Sequence, residues 1–221
     1  MSDSFVSPLL QRTLSAVYRF YDVFYFPIGD ATPPVVSPLE VSIPSLSWNA
    51  YRAADDYTYR FSSLTLTQPA PAGVNLAVDV TAPAGDYVSF EPIQLTLPRT
   101  LSVPVQRSDF LIPTPLWPTV AVRPPVGETA VRGQIQSAAA LPVSGLKVEM
   151  WPGPAVTPPP GTPFTLSDAS GQFLYRFPLL KGVSGSPTTF NIQLSNGAVA
   201  VSPASLAIPL GTTQVILFQR T

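Results

Sequence analysis

Proline falls at the ends of alternating runs along this chain, and that placement limits what the runs can become. The run over residues 57–67 is closed by Pro69, that over 74–81 by Pro83, that over 87–90 by Pro92 and that over 93–97 by Pro98. Proline has no backbone donor and clashes inside a helix, so it is confined to strand ends, sheet edges and turns. Disorder is the other reading of 28 prolines in 221 residues. Disordered chains are poor in aromatic and β-branched residues and rich in net charge. This one is 45% hydrophobic and 10% aromatic with a net charge of −1, so proline here punctuates strands, and the fold expected is all-β.

In chain order, residues 1–15 form an N-terminal arm or a short helix, with Ser7 as N-cap, Pro8 at the first helical position and Leu10 and Leu14 on one face. Residues 16–28 (AVYRFYDVFYFPI) are too apolar for periodicity to decide, but their Tyr and Phe favour a strand or a helix–strand junction. Pro33, Pro34, Pro38 and Pro44 leave room only for an edge strand over 39–43, and 48–54 reads as a connector ending at the turn Asp55-Asp56. The run 57–67 puts Tyr57, Tyr59 and Phe61 on one face, and three further short strands follow to residue 97. Strands at this spacing indicate a β-sandwich over 16–97.

Residues 98–127 are dense in proline (Pro98, Pro104, Pro113, Pro115, Pro118, Pro124, Pro125), and Phe110, Leu111, Ile112, Leu116 and Trp117 make them too apolar for a floppy linker. The stretch reads as an extended strap lying along a domain or a neighbouring subunit. A second antiparallel β-sandwich follows over 128–221. Its clearest signals are VRGQI (131–135), LKVEM (146–150), the polar turn Ser167-Asp168-Ala169-Ser170-Gly171, the run QFLYRF after it, and Asn196-Gly197 between alternating segments.

The order V-x-G-x-I, P-V-S-G-L-K-V, T-x-S-D-A-S-G-Q-F, L-L-K-G between Thr129 and Gly182 resembles the carboxypeptidase-regulatory-like domain. That resemblance implies a transthyretin-like β-sandwich serving as a structural or surface-binding appendage, without catalytic residues of its own.

Chemistry is sparse. With no histidine and no cysteine, nucleophile–histidine systems, the usual general base and most zinc or iron sites are excluded. Thirteen acids remain, scattered along the chain, and a carboxylate pair of the glycosidase type would need two of them to converge across a cleft. Asp55-Asp56 lacks the calcium-loop pattern, and Asp168 is explained by its turn. No phosphate-cradling glycine loop occurs, and a charge of −1 gives no footprint for nucleic acid. No catalytic, cofactor or metal site is expected, and no membrane insertion. Trp48, Trp117 and Trp151 are candidate sugar platforms, the last two beside proline-rich, exposed segments.

These observations point to a non-enzymatic structural or assembly protein that binds neighbouring subunits through Phe110, Leu111, Ile112, Leu116, Trp117 and Trp151. Sheet edges open to a partner strand, 213–219 among them, would add to that binding. The alternative is a glycan- or surface-binding β-sandwich module, and a carboxylate hydrolase is the third reading. The N-terminus carries no secretory pattern, so synthesis and assembly in the cytoplasm are expected, within a particle that is released or anchored later. In fold and lack of chemistry the chain resembles small accessory β-proteins of phage-tail-like contractile injection particles.

Overall fold

The computed structural model describes residues 14–25, 33–54, 56–62, 74–97, 111–181, 187–196 and 199–219. The chain is all-β, and it divides into two compact units that interleave along the sequence. Unit 1 takes Met1–Phe20, Glu40–Val80 and Pro92–Thr114, and unit 2 takes Tyr21–Leu39, Thr81–Glu91 and Pro115–Thr221. The expected N-terminal arm lies almost wholly outside the described residues, as do residues 98–110 with Phe110.

Unit 1 is built on aromatic alternation. In β1 (Leu14–Asp22), Ala16, Tyr18 and Phe20 are buried on one face, so the ambiguous aromatic run resolves as strand, followed by one 3-10 turn over Val23–Tyr25. β1 pairs antiparallel with β5 (Tyr59–Ser62), and β5 also takes β4 (Tyr51–Arg52). Tyr59 and Phe61 are buried as the alternation predicts, with Phe61 edge-on to Tyr18 at 6.1 Å and Tyr59 edge-on to Phe20 at 5.5 Å. Offset and edge-to-face pairs of this kind add roughly 0.5–1.5 kcal/mol each beyond area burial. Tyr57 leaves the pattern because it turns the chain at φ 53°.

The other sheet of unit 1 runs β3 (Trp48–Asn49), β2 (Glu40–Ile43), β6 (Val74–Thr81), β8 (Ile93–Leu97). β2 is therefore an inner strand and not the edge strand that its flanking prolines suggest: Pro38 and Pro44 lie just outside it and cost it no ladder bond. In β6 and β8, Leu76, Val78 and Leu95 are buried while Asn75, Ala77, Gln94 and Thr96 face out.

Unit 2 packs two sheets around one core. The first has β10 (Glu128–Gln136) at its centre, between β13 (Gln172–Lys181), antiparallel, and β16 (Thr213–Gln219), parallel. That parallel pair departs from the all-antiparallel expectation. The second sheet runs β12 (Phe164–Leu166), β11 (Lys147–Pro152), β14 (Pro187–Asn196), β15 (Val199–Pro209). Val131, Ile135, Phe173 and Tyr175 meet Val148, Met150, Phe190, Ile192 and Leu194 between the sheets, with Phe24 in the same cluster. Full burial of each such side chain stabilises by roughly 1.5–3 kcal/mol. Gly133 sits opposite Phe173 in the register, and the Phe173 ring occupies the space a Cβ at 133 would need.

The turn at 167–171 forms as its residues dictate. Asp168 Oδ1 accepts from the N–H groups of Ser170 and Gln172, both at 2.8 Å, and Gly171 supplies φ 71°. β14 and β15 form the hairpin signalled by Asn196-Gly197, with Asn196 opposite Val199. Within the proline-dense stretch, β9 (Leu111–Pro118) is a strand, paired at its end with β7 (Tyr87–Val88) through Val88–Trp117 and Tyr87–Pro118. Part of the expected strap is thus sheet.

Candidate functional site

Three arrangements in unit 2 bear on function: a buried ionic cluster, a set of side chains that clamp loops, and a sheet edge with no partner strand among the described residues. The cluster centres on Arg176 of β13, only 4% exposed. Its Nε and Nη2 donate to the two oxygens of Glu128 at 2.6 and 2.9 Å, a bidentate fork, and its Nη1 donates to Asp22 Oδ2. Tyr25 closes the ring, accepting from Arg176 Nη2 at 3.0 Å and donating to Glu128 Oε2 at 3.0 Å. Asp22 also accepts from the Phe24 N–H at 3.0 Å and from the Tyr87 hydroxyl at 3.3 Å.

Burial raises the Asp22 carboxyl to about 6, against the pull of Arg176 and the Phe24 N–H in the other direction. Burial, with the Asp22 charge behind it, pushes the Tyr87 phenol up as well. In the sequence these acids are scattered. The 48 residues from Glu128 to Arg176 and the 154 from Asp22 to Arg176 hide the convergence. Both carboxylates face the same guanidinium and are at most 4% exposed, so what they do is hold distant segments of unit 2 together.

The clamps account for several residues expected to bind partners or sugars. Trp117 is 2% exposed; its Nε1 donates to Phe164 O at 2.8 Å, and its ring lies between Phe90 and Phe164 at 5.4 and 5.5 Å. Trp151 is 2% exposed and donates to Ala155 O at 2.8 Å, tying down the proline-rich insert after β11. Leu116 is 1% exposed. These placements correct the expected exposure of both indoles: adjacent proline does not put a side chain outside when that side chain sits on the inner face of its strand. Leu111 and Ile112 are half-buried, and Trp48 is half-exposed. Arg132 of β10 donates to Val120 O and, at 2.5 Å, to Val122 O, fixing the loop after β9.

Among the described residues, no three His, Cys, Asp or Glu are grouped to hold a metal, and no helix is long and apolar enough to cross a membrane.

Among the described residues, no strand pairs with the outer edge of β16. Ala130 N donates to Thr212 O at 3.0 Å, and Ala130 lies opposite Thr213. In a parallel ladder each residue bonds the two neighbours of its partner. Gln214, Ile216 and Phe218 therefore turn their backbone groups toward β10, and Thr213, Val215, Leu217 and Gln219 turn theirs outward. Ile216 and Phe218 pack on the core, whereas Val215 is 82% and Leu217 60% exposed.

No protein-family model and no curated protein matches the chain. Solved structures share its β-rich character at low similarity. The shaft pilin SpaA from Lactobacillus rhamnosus GG is 10% identical over 94% of this chain and 98% of its own, with a TM-score of 0.31. A streptococcal ancillary pilin is 12% identical over 100% and 68%, with a TM-score of 0.29. A dioxygenase domain from Streptomyces sp. SirexAA-E is 14% identical over 44% and 82%, with a TM-score of 0.30.

Proposed function

We propose that this chain is a non-enzymatic structural protein that binds neighbouring protein subunits in a larger assembly. The observation that carries this reading is the outer edge of β16, where a row of backbone groups with no partner among the described residues runs beside exposed Val215 and Leu217. An extended strand of a partner would satisfy those groups and cover those side chains. The burial of Asp22, Glu128 and Arg176 in a mutual ion cluster adds support, since it commits convergent carboxylates to architecture. So does the resemblance of residues 129–182 to the carboxypeptidase-regulatory-like domain, a family of binding and structural appendages. The setting we assign is a phage-tail-like contractile injection particle assembled in the cytoplasm, whose small accessory β-proteins this chain resembles in fold class and lack of chemistry. Of the three candidate glycan platforms, Trp117 and Trp151 are buried and Trp48 alone stays half-exposed, which favours the assembly reading.

The test is size-exclusion chromatography with light scattering on native extract, followed by mass spectrometry of co-eluting chains. Elution in a large particle, lost when Leu217→Lys is introduced, is the expected result. Elution free of other chains at every concentration would overturn the reading.

A further inference from the structure

Among the described residues, the two sheets that enclose the core of unit 2 have four outer strands, and three carry features that discourage edge-to-edge pairing. β12 is only three residues long. β13 contains Pro178, and β15 contains Pro203 and Pro209. Short length, proline and charge are devices by which sheet edges are kept from recruiting other chains. β16, Thr-Gln-Val-Ile-Leu-Phe-Gln, has none of them: seven residues, no charge, no proline and an unbroken register on β10. Of these four outer strands, it is the one whose edge is left receptive among the described residues.

We propose that β16 pairs with β16 of a second copy of this chain, antiparallel about a two-fold axis at Ile216. This rests on the assembly reading above and names the partner for that edge. The parity of the strand selects the register. The residues whose backbone groups point outward are Thr213, Val215, Leu217 and Gln219, and a two-fold at Ile216 places Val215 opposite Leu217 and Thr213 opposite Gln219. Every outward-pointing residue then meets another, and hydrogen-bonded pairs exchange two bonds each, giving roughly eight across the axis.

Side chains match under the same operation. Val215 and Leu217 from the two copies form one apolar patch on the outer face, flanked by Thr213 and Gln219. On the core face Ile216 meets Ile216 of the other copy, extending the apolar layer formed by Ile216 and Phe218. The two three-stranded sheets become one sheet of six strands. With no charge on the strand, no like-charge pair opposes the match.

The purified 221-residue chain is the material for the test. Sedimentation equilibrium is expected to show a dimer, with Leu217→Lys and Val215→Pro each weakening it at least about tenfold. Proline at 215 removes an N–H that faces away from β10, so it spares the internal ladder. Circular dichroism confirms that each variant keeps its fold. Hydrogen exchange supplies a second readout: the amides of Val215 and Leu217 are protected in the dimer and exchange freely on dilution to monomer, while Ile216 stays protected in both. The chain has no cysteine, so Val215→Cys mixed with Leu217→Cys cross-links on oxidation, and neither variant does so alone. A monomer at every concentration overturns the proposal, as does a dimer that both edge variants leave intact. A monomer that still enters a large particle would overturn the self-pairing while leaving the assembly reading in place.

Discussion

Arg176 holds its charge more firmly in the fold than in water: burial opposes the charge, but the Glu128 hydrogen bonds and the two carboxylates outweigh it. Two acids around one cation leave an excess negative charge in a buried place, and Asp22 is where that excess is relieved. Its carboxyl titrates near the ordinary 3.8 when unfolded and about 6 when folded. The native state therefore binds this proton more tightly than the unfolded chain. The resulting stabilisation is complete below about pH 4 and is lost as pH rises through about 6, on the order of 3 kcal/mol. Asp22→Asn is expected to flatten the stability profile in that window, measured by urea unfolding from pH 4 to 7, and a slope parallel to the parent's would refute the assignment. Arg176→Leu strands two buried carboxylates and is expected to cost about 3–5 kcal/mol at neutral pH. None of this was legible in the sequence, because the partners are too far apart in the chain for any local pattern to join them.

Single elements show where the sequence spoke clearly and where it did not. The turn at 167–171 was readable because all of its chemistry is local: Asp168, Ser170 and Gly171 bond within five residues. Asp168→Ala removes two acceptor contacts and is expected to lower stability by about 1 kcal/mol by thermal unfolding. Gly171→Ala should cost more, since φ 71° strains an L side chain and the Ile135 carbonyl fills the space. β16 was legible as a strand and even as an open edge, but alternation carries no information on its neighbour or direction, so its parallel pairing with β10 was not. Likewise Trp117 and Trp151 were legible as important aromatics, yet neighbouring proline was a poor guide to which way they point. Arg132 gives a further element-scale test. Arg132→Met releases the Val120 and Val122 carbonyls, and the Val122 amide, bonded to Thr119 O at 3.1 Å, is expected to exchange faster with solvent.

At the scale of the molecule, all-β architecture and two β-sandwich units followed from proline placement and alternation. The interleaving of the units did not. A consecutive reading places residues 128–221 together as a domain, but unit 2 also draws Asp22, Phe24, Tyr25 and Tyr87 from the first hundred residues. A fragment covering 128–221 would bury Arg176 against Glu128 alone and leave the place of Phe24 in the core unfilled. It is expected to lack the near-ultraviolet dichroism of the full chain and to bind a hydrophobic dye. A fragment with a native-like, dispersed NMR spectrum would show that the early segments are dispensable.

The bond between Asp22 and Arg176 also sets a timetable. A ribosome delivers Asp22 some 154 residues before the guanidinium that neutralises its surroundings, so unit 2 cannot close while the chain is still short. Synthesis proceeds at about 5–20 residues per second, and Tyr21–Leu39 must wait many seconds in a nascent chain for Phe173, Tyr175 and Arg176 to arrive. Contacts of such long range make folding slow and leave apolar strands open to trapping. Whatever shields Phe24 and its neighbours during that interval governs how much of this protein reaches its native state.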